Sequence, residues 1–109
     1  MKQKAIPLFV LAFTASLSPP ASFAQTDNAK QVAAGEQVYA DYCSSCHGDG
    51  LVNVSGGVTF DLRRLHKDEH DRFLNSVLNG KRQMPPWRGA LEEQQIESIW
   101  AYIRATVDK

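Results

Sequence analysis

The chain of 109 residues has two cysteines, and they stand three positions apart in the run Cys43-Ser44-Ser45-Cys46-His47. This spacing constrains the fold, because both thiols must serve one disulfide, one metal ion or one prosthetic group. The residue after the second cysteine is a histidine, whose imidazole is a common metal ligand. The motif therefore admits four interpretations: a redox dithiol, half of a zinc site, a structural disulfide or the attachment point of a c-type haem.

Two of the rival interpretations fit the surrounding sequence poorly. A zinc site needs four ligands, which His66 and His70 would complete, but two-Cys, two-His sites ordinarily space their pairs differently. That interpretation also leaves His47 without a role. A redox dithiol places CxxC at the start of a helix after a strand, where the helix dipole lowers the pKa of the first thiol. Here the motif follows a predicted helix, and no βαβ pattern surrounds it.

Haem attachment uses all three chemical groups of the motif. Each thiol adds across one vinyl group of the porphyrin, and His47 is placed under the ring so that its Nε2 ligates iron. The size of the domain agrees with this interpretation. A chain as short as residues 25–109 buries only a little over ~60% of its unfolded surface, so a large prosthetic group would complete its core. We therefore predict one covalently attached haem c.

The N-terminus predicts a secretory leader over residues 1–24, followed by a single domain over residues 25–109. Two of the first four residues are lysines, an apolar run extends from Ala5 to Phe13, and Ser22-Phe23-Ala24 has the small residues that signal peptidase reads. The apolar run is well short of the ~20 residues that a bilayer span needs. We expect cleavage before Gln25, a periplasmic location and no membrane span in the mature chain.

Composition argues against a nucleic-acid partner. The chain has 12 Lys plus Arg and 12 Asp plus Glu, for a formal charge of zero. Loss of Lys2 and Lys4 with the leader would make the mature chain slightly acidic. The basic residues are also scattered along the sequence rather than concentrated in one stretch, so no basic surface for nucleic acid is predicted.

Hydrophobic periodicity predicts three helices separated by loops rich in Gly and Pro. The first spans about 28–43, the second runs from about Asp68 as its N-cap to 79, and the last spans about 92–106. No Ser, Thr, Asp or Asn stands at the start of the last helix, so its first turn is expected to be poorly capped. Residues 48–60 contain four glycines and are expected to form a wrapping loop.

Met84 is the candidate for a second iron ligand. It is the one methionine that remains after loss of the leader, and it stands in a rigid Met-Pro-Pro turn between two helices. A thioether is a soft ligand that stabilises ferrous iron, as suits electron transfer. His66 and His70 lie among charged residues and are expected to be exposed. Iron held from both sides has no free coordination position, so we do not expect an enzyme.

The chain resembles the class I cytochrome c family over its mature length. The matching residues are Gly35 and Tyr39 before the attachment motif, the motif itself, the Met84 loop and the last helix. The resemblance implies an all-α cytochrome c fold, in which the N- and C-terminal helices cross and a third helix and loops wrap around the haem. It also implies that Gly35 permits the close crossing and that Tyr39 packs against Ile99 and Tyr102.

A narrower similarity is carried by the stretches DLRRL and HDRFLNSVLNGKRQMPPW and by the last helix. These stretches are similar to small periplasmic cytochromes that accept electrons from quinoprotein alcohol dehydrogenases, and to cytochrome domains fused to such enzymes. The similarity implies a monomeric one-electron carrier, with a periplasmic dehydrogenase as donor and a cytochrome or terminal oxidase as acceptor. The alternative is a small haem enzyme or a gas-binding sensor with an open iron position.

Basic and aromatic residues near the Met loop are candidates for hydrogen bonds to the haem propionates. Arg82 and Trp87 flank the loop and are the preferred pair. Arg63, Arg64 and Arg88 are further candidates, although each is equally compatible with an ordinary surface charge.

Overall fold

A computed structural model describes residues 2–17 and 23–109, and for residues 23–26 it describes the backbone alone. Residues 2–17 form no helix or strand, and their side chains are exposed. The expected cleavage signature begins at Ser22, which lies outside the described residues, and the leader itself stays a prediction. Within the described ranges, no helix is both long enough and apolar enough to cross a membrane.

The described chain is helical, which confirms the predicted all-α class. Four α-helices occur in the order α1 (Phe23–Tyr42), α2 (Ser44–His47), α3 (His70–Asn79) and α4 (Glu93–Val107). Two short 3₁₀ turns, Asp49–Leu51 and Leu62–Arg64, lie in the long connection between α2 and α3. Extended pairing in the described residues is limited to isolated bridges, Lys81 with Met84 and Arg88 with Leu91.

The two long helices, α1 and α4, cross in backbone contact. A Cβ added to Gly35 would lie 1.8 Å from the carbonyl oxygen of Ser98, so only glycine allows this approach. One turn further along each helix, the rings of Tyr39 and Tyr102 pack with centroids 5.4 Å apart. Ile99 is buried in the same core. Both expectations for this crossing, the role of Gly35 and the packing of Tyr39, are confirmed.

The starts of the three long helices differ from the prediction. The first helix begins at Phe23 rather than near residue 28. Asp68 is not the cap of α3, because the helix begins at His70 and the Glu69 carboxylate instead accepts a hydrogen bond from the His66 amide at 2.8 Å. The start of α4, which was expected to be poorly capped, is capped by a residue of the helix itself. Gln95 Oε1 accepts a hydrogen bond from the Glu92 amide at 2.9 Å.

Helix α3 packs against α4 and anchors the loop that follows it. Phe73 and Val77 are buried, and the Phe73 ring lies 5.2 Å from that of Trp100. The loop returns to the helix, because the Trp87 amide donates to the Val77 carbonyl at 2.8 Å and the Arg88 amide donates to that of Leu78 at 3.2 Å. The segment that contains Met84 is therefore held as a closed loop against α3.

Candidate haem site

The CxxCH motif forms a helical turn that continues directly from α1. The Cys43 amide donates to the Tyr39 carbonyl at 2.8 Å, and the amides of Cys46 and His47 both donate to the Cys43 carbonyl, at 3.2 and 3.0 Å. Both thiols are free; Cys43 is partly buried and Cys46 is exposed. The backbone thus gathers two thiols and an imidazole within one turn, at the end of a helix that is fixed in the core.

The geometry is unfavourable to a redox dithiol and to zinc. Burial, with a smaller contribution from neighbouring Cys46, raises the pKa of the Cys43 thiol to about 11. A reactive dithiol needs the opposite shift, because the thiolate is the nucleophile. Among the described residues, no three His, Cys, Asp or Glu side chains cluster closely enough to hold a metal ion, so His66 and His70 do not join the cysteines in a zinc site.

The imidazole of His47 is oriented by the loop that follows the motif. Its Nδ1 lies 3.0 Å from the carbonyl oxygen of Phe60. A carbonyl can only accept, so Nδ1 carries the proton and the lone pair of Nε2 is left for a metal. The adjacent Thr59 hydroxyl donates to the Cys46 carbonyl at 2.8 Å. Two consecutive loop residues therefore hold the motif and select one tautomer of the histidine.

A buried tyrosine fixes the turn after His47. The hydroxyl of Tyr39 donates to the Gly48 carbonyl at 2.6 Å. Gly48 has a φ of +91°, and a Cβ there would lie 1.8 Å from the Val52 carbonyl oxygen. Sequence reasoning assigned Tyr39 a packing role and missed this bond. The available signal was that a tyrosine on the apolar face of a helix needs a partner for its hydroxyl.

Met84 lies in a tight turn and packs against the hydrophobic core. The amide of Met84 donates to the Lys81 carbonyl at 2.9 Å, and the Lys81 amide donates back to the Met84 carbonyl at 3.1 Å. The turn is completed by Arg82, which has a φ of +53°. A Cβ at Gly80 would lie 2.7 Å from the Met84 carbonyl oxygen, so the loop requires a glycine where α3 ends. The thioether is partly buried.

Comparison with known proteins assigns the family. The family model described as "Cytochrome C oxidase, cbb3-type, subunit III" matches residues 30–103, which include both the CxxCH motif and Met84. The chain belongs to the class I c-type cytochromes. The resemblance noted from its motifs is thereby confirmed, and with it one covalently bound haem c containing iron. Its function is haem-based electron transfer.

Relatives of this cytochrome fall into two groups. It is 31% identical to a cytochrome c6 of Nostoc sp., over 93% of its own length and 88% of that of the relative. It is also 34% identical to the quinohemoprotein alcohol dehydrogenase ADH-IIG of Pseudomonas putida and 33% identical to ADH IIB of the same organism. The cytochrome covers 14% and 15% of these two enzymes, so it spans about a seventh of their length. No solved structure matches the chain at a significant level.

The donor set of the cytochrome fits a haem c. Two free thiols three residues apart can form the two thioether bonds, and an imidazole with a free Nε2 follows at once. Met84 carries a thioether, a soft sulfur group of the kind that can ligate haem iron, on a closed loop. These groups are the types that attach and ligate a haem, and none of the four is committed to another ligand or to a disulfide in the described chain.

The two preferred propionate candidates have different surroundings. The half-buried Trp87 ring makes an edge contact with Tyr42, with centroids 5.7 Å apart, and so links the Met loop to the end of α1 beside Cys43. Arg82 is exposed and makes no side-chain hydrogen bond to any described residue. Two of the weaker candidates have protein partners, because Arg63 is hydrogen-bonded to Asp61 and Arg88 to Asn79.

Of the two remaining histidines, His66 is exposed as expected, but the prediction for His70 is wrong. His70 is partly buried between α3 and α4. Its Nε2 lies 2.8 and 3.0 Å from the two carboxylate oxygens of Glu97, and its ring contacts Trp100 with centroids 5.1 Å apart. The charged neighbours of His70 in the sequence predicted exposure, whereas the helix turns the imidazole toward α4.

Proposed function

We propose that the cytochrome is a periplasmic one-electron carrier whose haem is attached through Cys43 and Cys46 and ligated by His47 and Met84. The observation that carries this proposal is the hydrogen bond from His47 Nδ1 to the Phe60 carbonyl, because it leaves Nε2 as the free donor in a CxxCH turn with two free thiols. When bound, haem supplies a reversible one-electron couple at its iron.

The residues of the chain have separate tasks in this proposal. The Phe60 carbonyl holds the His47 ring in one orientation and raises the basicity of the ligating nitrogen. The turn between Lys81 and Met84, with Gly80 before it, holds the thioether in place without a long flexible connection. A sulfur ligand favours ferrous iron and a higher potential. If His47 and Met84 both held the iron, no coordination position would be left for a substrate, so the proposed role is electron transfer without catalysis.

A periplasmic location is supported by the lysines, the apolar run and the small residues at the N-terminus. The family match begins at residue 30, after the proposed leader. Residues 2–17 are exposed and form no helix or strand. The mature carrier proposed here comprises residues 25–109 and acts as a monomer.

The proposed electron donor is a periplasmic quinoprotein dehydrogenase, and the proposed acceptor is a further cytochrome or a terminal oxidase. The support for the donor is the similarity to two quinohemoprotein alcohol dehydrogenases over nearly nine-tenths of this chain. A separate small protein that is similar to part of such an enzyme would accept electrons from a dehydrogenase during brief contact. Interfaces of this kind are small, because turnover requires release.

The proposed role of Met84 as an iron ligand is tested with Met84→Ala in protein exported with a working haem-attachment system. Loss of a sulfur ligand is expected to abolish the weak absorption band near the red end of the ferric spectrum and to lower the reduction potential. Gln83→Ala and His66→Ala serve as controls and should leave both unchanged. Rapid binding of carbon monoxide to the reduced wild-type protein would overturn the closed site and favour a gas-binding or enzymatic role.

The proposed donor is tested by stopped-flow reduction of the ferric cytochrome with purified quinoprotein dehydrogenases from the same organism. Reduction should saturate with enzyme concentration and require the substrate of the enzyme. Failure with every such dehydrogenase, while a small chemical reductant still reduces the haem, would reject the donor and leave the ligand assignment intact.

A further inference from the structure

A groove of about 1140 Å³ lies where the Leu62–Arg64 turn, the start of α3 and the end of α4 meet. Neither the CxxCH residues nor Met84 line it. Its lining includes five cationic residues, Arg63, Arg64, Lys67, Arg72 and Arg104, and two anionic ones, Glu69 and Asp108. The groove therefore has a net formal charge of +3 on a chain whose total formal charge is zero.

Two of the five cations are not neutralised by nearby carboxylates. Arg63 pairs with Asp61 at 2.9 Å, Arg72 with Glu69 at 2.8 Å and Arg104 with Asp108 at 3.5 Å. Arg64 and Lys67 are exposed, and no carboxylate of the described residues lies within ion-pair distance of either. The rim of the groove thus presents two free positive charges to solvent.

Arg104, which is paired with Asp108, forms part of the wall of the groove. Its side chain is 14% exposed, its guanidinium lies 4.8 Å from the centre of the Trp100 ring, and it donates to the Leu65 carbonyl. Its buried Nε has no hydrogen-bond partner among the described residues. A buried cation with incomplete hydrogen bonding favours an additional anionic group nearby. The unpartnered Nε is itself enclosed by protein, so the positive charge open to a ligand is that of Arg64 and Lys67 at the rim.

One wall of the groove is joined to the haem site. The ring of Phe60 lines it, under the Arg72 guanidinium at 4.9 Å, while the carbonyl of Phe60 accepts the hydrogen bond from His47. A molecule seated in the groove is therefore separated from the proposed iron ligand by one residue and one hydrogen bond. Electron tunnelling decays less steeply with distance along covalent and hydrogen bonds than across a gap between molecules.

The size of the groove favours a polypeptide over a free anion as its ligand. Pockets of roughly 300–1,000 Å³ enclose drug-sized molecules, so a single phosphate or carboxylate would fill a small part of this one. Apolar side chains, Leu65 and Val107, also line it and suit a mixed surface. We propose that this groove docks an acidic segment on the surface of a protein redox partner.

This inference rests on the proposed function for the nature of the partner, which exchanges one electron with the cytochrome. In the exchange one protein is oxidised and the other reduced, and no bond is made or broken. Charge complementarity of this kind speeds encounter and sets orientation. Net charge alone did not reveal this groove, in which four of the five basic residues come from residues 63–72 and Arg104 joins them in the folded chain.

The test uses the ferrous holoprotein and a short poly-L-glutamate peptide as the probe. Amide chemical shifts in a titration are expected to change at residues 60–72 and 104–108, and not around the Met loop. Lys67→Glu should weaken binding by about tenfold and reduce its dependence on ionic strength. Lys30→Glu is the matched control, since it makes the same charge change at an exposed position of α1 and should have little effect.

Two results would overturn the docking groove. If Lys30→Glu weakened binding as much as Lys67→Glu, the peptide would be attracted by overall charge alone. If inorganic phosphate at equal ionic strength produced the same shifts, the groove would be a small-anion site. The visible spectrum of each variant is recorded alongside. A change there would place the substituted residue at the haem and count against a separate groove, whereas loss of peptide binding with an unchanged spectrum supports the groove.

Discussion

The α-carbon of Gly35 lies against the backbone of Ser98, where an added Cβ would be 1.8 Å from the carbonyl oxygen and 2.4 Å from the carbonyl carbon. Backbone cannot move aside as a flexible side chain can, so the contact sets the distance between α1 and α4. One turn beyond it, Tyr39 packs on Tyr102 and bonds to Gly48, next to His47. The helix crossing therefore determines where the attachment motif sits.

Gly35→Ala is expected to lower the free energy of unfolding by about 2–3 kcal/mol, because overpacking a tight contact typically costs ~1–3 kcal/mol. A loss of stability would point to the close contact, because alanine is intrinsically better than glycine in a helix by ~1 kcal/mol and would otherwise stabilise the protein. Urea unfolding of the holoprotein, followed by circular dichroism, measures the change.

The control for this substitution is Ala33→Gly, the reverse change at an exposed position of the same helix. It should cost about 1 kcal/mol through helix propensity alone. If Gly35→Ala were neutral or stabilising, the close contact would not be a constraint on the folded protein.

Tyr39→Phe removes the hydroxyl that donates to the Gly48 carbonyl and leaves that carbonyl buried without its partner. The expected loss of stability is about 1–3 kcal/mol. Tyr42→Phe is the matched control, because Tyr42 is 45% exposed and its contact with Trp87 involves the ring alone. That control should fall within about 0.5 kcal/mol of wild type. Equal effects of the two substitutions in thermal unfolding would exclude a special role for the Tyr39 bond.

The stability difference between wild type and Tyr39→Phe should also depend on pH. Burial is the main cause that raises the pKa of Tyr39 above its ordinary value of 10.0. The folded state therefore keeps a proton that the unfolded chain releases above about pH 10, and stability falls as the pH rises. The advantage of wild type should be constant below about pH 9 and shrink above pH 10 by up to ~1.4 kcal/mol per pH unit. A constant difference in urea titrations up to pH 11 would contradict this.

Local features of the sequence were sufficient to predict the cofactor and the number of long helices. The CxxCH motif carries its chemistry within five consecutive residues, so no knowledge of the fold is needed to interpret it. The roles of Gly35 and Tyr39 followed instead from the resemblance to class I cytochromes c, because a helix face does not specify its partner. By contrast, the bond from His47 to Phe60 joins residues 13 positions apart, and the path of the intervening loop decides it. Nothing in the spacing of these residues predicts that contact.

The error at His70 has the same origin. Its neighbours in the sequence are charged, which is typical of a solvated surface, but its partner Glu97 is 27 positions away on another helix. The basic groove was missed for a related reason, since Arg104 joins Arg64 and Lys67 only in the folded chain. Periodicity assigns a residue to a helix face, and it does not specify which other helix that face meets.

Glu97→Gln tests the contribution of the His70 pair to the packing of α3 on α4. The amide loses the charge and one of two acceptors for His70 Nε2, so a cost of about 1 kcal/mol is expected for a partly exposed pair. Glu93→Gln is the control, because Glu93 is exposed in the first turn of the same helix. Denaturant midpoints of the two variants give the comparison. If they matched, the His70 contact would have no measurable part in holding the helices together.

Gly80→Ala and Gly89→Ala form a matched pair that isolates the support of the Met loop. Both glycines have positive φ, +75° and +83°, so alanine should strain the backbone by about 1–3 kcal/mol at either site. At Gly89 no atom lies within 4 Å of the added Cβ, whereas at Gly80 the Cβ would meet the Met84 carbonyl oxygen at 2.7 Å and Pro86 nitrogen at 2.9 Å.

Gly80→Ala is therefore expected to cost about 1–3 kcal/mol more than Gly89→Ala, and to shift the loop that holds the proposed sulfur ligand. The ferric spectrum supplies a second readout, because a displaced Met84 should weaken the band near the red end in Gly80→Ala and leave it intact in Gly89→Ala. Equal stability with equal spectra would mean that the loop adapts freely at its first residue. In that case the position of the thioether would depend on the bonds from Trp87 and Arg88 to α3, which lie on the other side of Met84.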